Sequence, residues 1–594
     1  MNLSYKFIIL LALFSSRCLS EKTYKFPKEK FGNPLAKLLS SILIDFYSEN
    51  SIEVDITRSA EDQKNQFIQS GILNEVLCDV NAKIPVRLED YKLTRERYPR
   101  IFNIFIVDSY QSFRRILYTN KTDAFDYRGF YTVVLTSLHQ NYTELVRRIL
   151  QDCWDFYIIN VNVITYDPSD SEKAFMYTYF PYTPDHCGKV KPIIYEIFSK
   201  EFFRKKNEIF PDKVGNFYGC NLTIGTFDFP PYMMIHHLEN GTLFSGFEGV
   251  VTRVLGKRLH FSLTLKTCND RWGRVEGENS TGLSGMILRG EINFTLGAFS
   301  FSFSHYGMMD SSIPYHATPL TLLVPPGKPY TPMQKLLLPL RYIIWSCLGA
   351  CFVISAIVVS FAKILAPHRR TFIFGPGNHY PFINTINVFL GGSLSVVPRR
   401  NFARYILILW IFMSLVIRSS YQGTLFSVMR DQKNVSVVDT FEKMWKENFK
   451  IYGVEGTKKY FESMETYKKM FIAGTPAEVD EYRMRTASSN FRGAAVTPAV
   501  VAAYMNEKYA KDGASFRISK EDVIMLYICI YMRKYSYLKE PFDREISKYL
   551  ESGLLHRWTS TFYSSKYLKE RPQHMRPKSL TFYELSGIFM VLSF

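Results

Sequence analysis

Twenty-one consecutive residues, Tyr342 to Ala362, carry no charged side chain between Arg341 and Lys363. As a helix this run reaches about 31 Å, enough to cross the hydrocarbon of a bilayer. A second run, Tyr405 to Met429, is broken only by Arg418 and would reach about 37 Å. The segment between them holds Lys363, Arg369, Arg370, Arg399, Arg400 and Arg404, with no Asp or Glu from Ile364 to Ile417. The positive-inside rule makes that segment cytoplasmic, so the chain before residue 342 and after residue 429 lies on the opposite side. A pair of buried core helices is the plain alternative, and it leaves the one-sign loop unexplained.

The N-terminus agrees with this topology. Lys6, the apolar stretch Phe7–Phe14 and the small residues Cys18 and Ser20 before Glu21 read as a secretory signal peptide over 1–20, too short to span. Past the signal peptide, seven Asn-x-Ser/Thr sequons, at Asn120, Asn141, Asn221, Asn240, Asn279, Asn293 and Asn434, all fall outside the apolar runs. The net charge of +18, from 73 Lys+Arg against 55 Asp+Glu, would suggest nucleic acid for an intracellular chain. A secreted topology demotes that reading. Nine cysteines in 594 residues are too few for a disulfide-dense scaffold.

Between the spans, Phe382–Val397 is apolar but dotted with Asn387, Gly391, Gly392, Ser393 and Ser395. A stretch too polar to span suggests a re-entrant loop lining water or buried in protein, with an amphipathic loop as the alternative. The last eight residues, ending at Phe594, are uncharged and mostly apolar. They suggest the start, near 585, of a last span that the given sequence leaves short.

The remainder divides into three soluble pieces. Residues 21–215 alternate apolar strands (Ile101–Val107, Phe130–Leu135, Phe156–Ile164) with helical patterns (to Tyr118; Tyr142–Leu150), which predicts a parallel α/β sheet. The basic run Lys200–Lys213 reads as a linker. Residues 220–335 repeat the alternation: strands at Leu222–Phe227, Phe261–Leu265 and Ile292–Phe299, helices at Phe247–Leu259 and Leu283–Arg289. Residues 430–578 read as helix-rich, with Tyr509–Ser519 a loop.

A lobe, a span of 342–363, a re-entrant loop of 382–397, a span of 405–429 and a second lobe of 430–578 is the plan of ionotropic glutamate receptors. Thr223–Tyr232, Gly246–Gly249 and Met308–Tyr315 resemble parts of their first ligand-binding lobe. Tyr452–Phe461 and Leu538–Gly553 resemble the second lobe, and Arg418–Phe426 resembles the gate. Tyr-Gln-Gly in the gate is similar to the insect ionotropic receptors, the variant chemosensory branch. The resemblance covers Cys220 to Phe594. It implies a multidomain α/β and α-helical membrane protein: an N-terminal α/β domain, then a bilobed, periplasmic-binding-protein-like domain split by a pore module. It also implies a gate at Arg418, Ser420, Tyr421 and Gln422.

The departures from the family pattern matter for the ligand. Glutamate-binding members carry an Arg five residues before the Asp that corresponds to Asp310; here that position is His305. A guanidinium forks onto a carboxylate, and a neutral imidazole cannot. The second-lobe Thr is matched by Thr457. The acidic residue expected near Thr497 is missing, with no carboxylate between Arg492 and Met505. Leaving either ionic end of an α-amino acid desolvated and unpaired costs several kcal/mol, so the expected ligand is neither glutamate nor glycine. Each residue has a plain alternative: His305 in a surface loop, Thr457 capping a helix from Lys458, Arg418 snorkelling to a headgroup, and Ser420–Gln422 packing between helices. Cys529 stands alone in the second lobe, which precludes an intralobe disulfide there. Cys220 and Cys268 are available as a pair in the first lobe, and Cys78, Cys153 and Cys187 offer one bridge in the N-terminal domain. Spacing leaves the pairing open.

The leading expectation is a ligand-gated cation channel subunit of a sensory neuron's plasma membrane, serving taste or smell, with both lobes extracellular. The resemblance implies co-receptor subunits in a hetero-tetramer and a small-molecule ligand, with no cofactor, metal or nucleic acid. Four copies of Arg418 about 10 Å apart would repel by about 1.7 kcal/mol a pair at an effective dielectric of about 20, which also favours mixed assembly. A non-conducting receptor or auxiliary subunit is the alternative, kept open by a pore loop without Asp or Glu. An ectoenzyme is disfavoured by the lack of any His-Glu-x-x-His, Gly-x-Ser-x-Gly, Walker A or Cys-x-x-Cys motif.

Overall fold

A computed structural model describes residues 33–567 and 586, apart from 52, 81–82, 91–98, 119–124, 138–141, 168–169, 171–172, 199–207, 239–240, 328–329, 365–370, 373, 375–377, 379, 395, 399, 431–436, 463 and 510–515. The expected signal peptide, the tail from 585 (Ser586 aside), Ser395, and the sequons at Asn120, Asn141, Asn240 and Asn434 lie outside the described residues. The chain forms two compact units, residues 1–318 with 525–563, and residues 319–524 with 564–594.

The N-terminal domain of the first unit is a seven-stranded sheet. Its strands are β1 (Val54–Ser59), β2 (Val86–Asp90), β3 (Arg100–Val107), β4 (Phe125–Leu135), β5 (Val161–Tyr166), β6 (Ala174–Thr178) and β9 (Ile193–Phe198), with a small hairpin β7 (Tyr182–Thr183) and β8 (His186–Cys187). The order is β2-β1-β3-β4-β5-β6-β9, parallel through β5 and antiparallel at β6 and β9. Helices cover both faces. One core gathers Leu39, Ile42, Ile72 and Val76 against Ile104, and the other gathers Phe113, Ile149 and Leu150 against Val133. Burial on both sides explains why these strands read as continuous apolar runs.

The expected linker ends inside this domain. Lys213 is 3% exposed, and its ammonium donates to Ile159 O at 2.8 Å and Thr178 Oγ1 at 2.7 Å. Burial pushes its pKa down to about 7. The apolar stem packs inside while the ammonium finds oxygen acceptors at Ile159, Val161 and Thr178, which outweighs the basic composition that makes the run look solvated.

The first lobe has strands β10 (Asn221–Thr226), β11 (Met234–Leu238), β12 (Gly241–Ser245), β13 (Ser262–Thr267), β14 (Phe294–Thr295) and β15 (Met309–Ser311). Its sheet runs β13-β10-β14-β22-β15, where β22 is Tyr531–Arg533. Residues 525–563, expected in the second lobe, thus build into the first. Only Phe294–Thr295 of the expected strand Ile292–Phe299 pairs. Gly297 and Ala298 take φ +126° and +56° and turn the chain away.

The second unit holds β16 (His316–Val324) from Pro319 on, β17 (Lys450–Val454), β18 (Phe471–Gly474), β19 (Gly493–Pro498), β20 (Arg517–Ile518) and the first residue of β21 (Ile524–Ile528). The sheet order is β18-β17-β19-β16-β20, with β21 on β16. Helices such as Pro476–Arg485, Ala499–Tyr509 and Lys539–Glu551 do predominate over 430–578 among the described residues, and the strands of this sheet are what the helix-rich expectation leaves out. The strand Gly-Ala-Ala-Val-Thr-Pro is buried at all six positions, and its small residues carry little β signal of their own. Tertiary burial, not propensity, makes it a strand.

The same unit carries two helices long and apolar enough to span a bilayer, within Tyr342–Ile364 and Asn401–Arg430. Apolar side chains such as Ile357, Phe361, Ile408 and Phe412 are exposed along them, which suits lipid and not a soluble core. Between them Pro381–Leu390 is a helix ended by Gly391 at φ +91°, so the expected irregular loop is a short helix followed by a turn.

Candidate functional site

In the first lobe β13, β10 and β14 are parallel, with β10 central, so their carboxyl ends share one sheet edge, the edge at which open α/β sheets hold ligands. A buried carboxylate shapes that edge. Glu248, in the first turn of the helix Phe247–Leu259 and 0% exposed, accepts from Gly297 N–H at 2.6 Å, Ala298 N–H at 2.8 Å and Tyr315 O–H at 2.6 Å. Burial raises its pKa, and the Tyr315 and backbone donors oppose the rise. The Trp272 indole ties the same turn by donating to Gly297 O at 2.8 Å. A side chain at 297 would collide with the Phe227 ring, 2.7 Å away, so glycine is required there. In the sequence the Gly-Phe-Glu-Gly segment carries a family resemblance and no role for Glu248; a Glu between glycines at the start of an apolar helix is the available signal.

The turn leads to the short helix Phe303–Tyr306 that carries His305. The His305 ring stands edge-on to Tyr531 at 5.1 Å. The Tyr531 hydroxyl accepts from Ser302 N–H at 2.9 Å and donates to Ser300 O at 3.2 Å. Asp310 accepts from Tyr535 N–H at 2.7 Å. His305 is therefore braced by an aromatic ring and is not a free surface loop.

In the second unit, β17 and β19 are neighbouring parallel strands, with Tyr452 opposite Ala495. Thr457 follows the end of β17 inside the 3-10 turn Glu455–Phe461, and its hydroxyl donates to Val454 O at 2.7 Å. It does not cap a helix from Lys458. Thr497 is fully buried near the end of β19, and its Oγ1 has no hydrogen-bond partner among the described residues. The two threonines thus come to adjacent strand ends.

The spans place the remaining candidates. Asn387 Nδ2 donates to Ser393 O at 2.9 Å and its backbone carbonyl accepts from Gly392 N–H at 2.8 Å, closing the turn after the helix Pro381–Leu390. The Arg418 guanidinium lies against Gly391, so closely that any side chain at 391 would overlap it. A cation there meets the negative end of the helix dipole. Gly391, Gly392, Ser393, Ser414, Arg404 and Arg418 line a cleft of about 600 Å³. Trp410 donates to Thr385 O at 3.1 Å, and Phe352 packs on Trp410 at 5.6 Å, which joins both long apolar helices to the helix Pro381–Leu390.

Tyr421 sits one turn beyond Arg418. Its hydroxyl donates to Leu336 O at 3.1 Å, and its ring meets Trp345 edge-on at 6.1 Å. Leu336 belongs to the helix Pro332–Leu337, which a Thr331–Gln334 capping box starts. Ser420 and Gln422 are on the same helix; Ser420 O accepts from the Thr424 hydroxyl at 2.8 Å.

The pairing left open by spacing is Cys187 with Cys220, Cα atoms 5.6 Å apart. Cys220 precedes β10 while Cys268 follows β13, and these strands run parallel. Cys220 and Cys268 are at opposite ends of the pair, too far apart for a bridge.

Residues 341–594 match the family model "Ligand-gated ion channel". The chain carries a ligand-gated channel domain. Residues 25–216 match "Putative ionotropic receptor, ligand binding domain", so the label of ligand binding falls on the seven-stranded N-terminal domain. A glutamate receptor of Lymnaea stagnalis is 21% identical over 404 residues, covering 61% of this chain and 43% of that protein. Glutamate receptor 3 of Rattus norvegicus and of Homo sapiens are each 21% identical over 286 residues, 43% of this chain and 32% of theirs. The chain spans less than half the length of these curated relatives. The chain is thus similar to ionotropic glutamate receptors at 21% identity, and its residues 341–594 to ligand-gated ion channels.

Proposed function

We propose that this chain is a subunit of a chemosensory, ligand-gated cation channel that works in a heteromer and responds to a ligand other than glutamate or glycine. The observation that carries the reading is the Tyr421–Leu336 hydrogen bond. The helix Pro332–Leu337 is the last element before the first span, so any pull on it reaches the second span through this contact. Ligand must favour the pulled state for that coupling to open a pore.

On the ligand side, His305 supplies an imidazole where glutamate-binding relatives use a guanidinium, and Thr497 offers a hydroxyl with an unfilled hydrogen-bonding position. Neutral groups of this kind suit an uncharged or singly charged polar molecule. Cation passage would rely on backbone carbonyls, Asn387 and Ser393, since residues 364–417 hold no carboxylate. Arg418 against the pore-loop helix softens the repulsion argument for mixed assembly, which then leans on the family resemblance. The proposed topology is multi-pass in the plasma membrane of a sensory neuron, with both lobes outside.

The test is recording from cells expressing the full chain with and without candidate co-receptors during application of an odorant and tastant panel. Ligand-evoked cation current only in the mixture is expected. Strong current from this chain alone overturns the heteromer. Ligand binding without current in any mixture would favour the second reading, a non-conducting receptor or auxiliary subunit, for which the carboxylate-free pore loop speaks.

A further inference from the structure

The N-terminal domain and the first-lobe sheet belong to one compact unit. Their contacts converge on β15 and on the turn Arg533–Tyr537 that follows β22. Asp126 grips Arg128 side-on, accepting from Nε at 3.1 Å and Nη2 at 3.0 Å. Held that way, Nη1 of Arg128 lies 3.5 Å from Oδ2 of Asp310. That same oxygen accepts the Tyr535 N–H. The Tyr535 ring packs on Tyr127 at 5.2 Å and under the Arg128 guanidinium at 5.9 Å. Two residues on, the hydroxyls of Tyr182 and Tyr537 share a buried hydrogen bond of 2.6 Å, and Trp154 covers the Tyr537 ring at 5.5 Å. The Cys187–Cys220 disulfide closes the same junction covalently.

Asp310 is placed to pass this grip to the lobe. It pairs with Met532 across β15 and β22, and the next pair is Ser311 with Tyr531. Tyr531 is the ring that braces His305, and the helix bearing His305 leads directly into β15. Both supports of His305 therefore meet at the β15–β22 pair, which Asp310 ties to the N-terminal domain and β14 holds from the other side through Phe294 and Met532. Burial raises the pKa of Asp310, and the Arg128 cation is the foremost group opposing that rise. Without the Arg128 cation, a largely buried carboxylate keeps one backbone donor, Tyr535 N–H, and the weaker influence of Lys539, and relaxes toward water, drawing β15 with it.

We propose that Arg128 of the N-terminal domain is a positioning residue for the first-lobe ligand site: through Asp310 it fixes the β15–β22 pair and so the placement of His305, making the N-terminal domain a wall of that lobe and not a tethered module. The inference rests on the reading of His305 as a ligand-facing residue. Supporting groups of this kind set a site's geometry without touching what binds there.

The test uses the full chain in detergent, with His305→Cys introduced and the rate of thiol modification by a small cationic methanethiosulfonate read by peptide mass. Native Cys268, partly exposed in the same unit, is the internal reference. Adding Arg128→Ala is expected to change the rate at 305 about five-fold or more while Cys268 stays unchanged. Arg128→Lys, which keeps the charge and loses the fork onto Asp126, is expected to fall between. An unchanged rate at 305 overturns the proposal, and so does an equal rise at both sites, which would mean general loosening. No ligand enters the measurement, so its failure leaves the channel reading standing. The expected rates in a chain that never conducts would support the positioning role and remove the channel reading.

Discussion

The Tyr421 hydroxyl donates to the Leu336 carbonyl across 3.1 Å, from the second span to the helix that precedes the first. Leu336 is the residue before the last of its helix, where backbone carbonyls have no partner within the helix. Tyr421 fills one of those vacancies, and the Trp345 indole fills the next by donating to Leu337 O at 3.1 Å. Two aromatic side chains thus terminate one linker helix.

Tyr421→Phe removes the hydroxyl and keeps the ring against Trp345. A neutral hydrogen bond is worth about 1 kcal/mol, so the balance between closed and open states should move by about five-fold. Standing current without ligand and slower deactivation in a conducting heteromer are the expected results. An unchanged dose–response and unchanged deactivation would leave Tyr421 as packing only.

Glu248→Ala strips the acceptor from two buried N–H groups, Gly297 and Ala298. Each orphaned donor costs about 1–3 kcal/mol. Thermal unfolding of the purified chain, followed by tryptophan fluorescence, should show a drop of several degrees. Glu248→Gln keeps one acceptor oxygen and should lose less.

His316 gives the first unit an acid limit. Its ring packs against Phe247 at 5.5 Å and Tyr232 at 6.1 Å, and burial, aided by nearby His556, lowers its pKa from 6.5 to about 4. The fold favours the neutral ring, so this contribution is complete above pH 6.5 and is lost as pH falls from there toward about 4. With each tenfold in proton affinity worth about 1.4 kcal/mol, the loss amounts to about 3 kcal/mol. Melting temperature measured across that range should fall more steeply for the native chain than for His316→Phe. Parallel curves would assign the acid sensitivity elsewhere.

Peptide mapping without reduction should recover Cys187 linked to Cys220 and leave Cys268 open to alkylation. The loop of 33 residues puts the stabilisation at about 3–4 kcal/mol, so Cys187→Ser should lower the melting temperature or surface yield. A Cys220–Cys268 peptide would refute the pairing.

Asn221 and Asn279 are exposed, whereas Asn293 is half-buried and its side-chain oxygen accepts from Thr223 N–H at 2.7 Å. In a chain with its lobes outside, glycans are expected at the first two and not at the third. Single Asn→Gln variants should lose an endoglycosidase-sensitive band shift at 221 and 279. Asn293→Gln should instead weaken the fold, and a shift lost only there would reverse the assignment.

Much of this molecule is dictated locally. Uncharged runs of membrane length, a one-sign loop and a helix pattern over Phe247–Leu259 are properties of consecutive residues, and the structure has the two long apolar helices and that helix at the same residues. The doubly covered N-terminal sheet was legible for the same reason, because strands buried on both faces must be apolar throughout. What the sequence could not disclose is long-range pairing. The strand Gly493–Pro498 has no β signature and exists because its neighbours bury it. The return of 525–563 to the first lobe, Lys213 inside the N-terminal domain, Cys187 beside Cys220 and Arg128 beside Asp310 join residues tens to hundreds of positions apart. Such partners are selected by the packed backbone, where the cost of leaving a buried charge or N–H unmet exceeds any local preference.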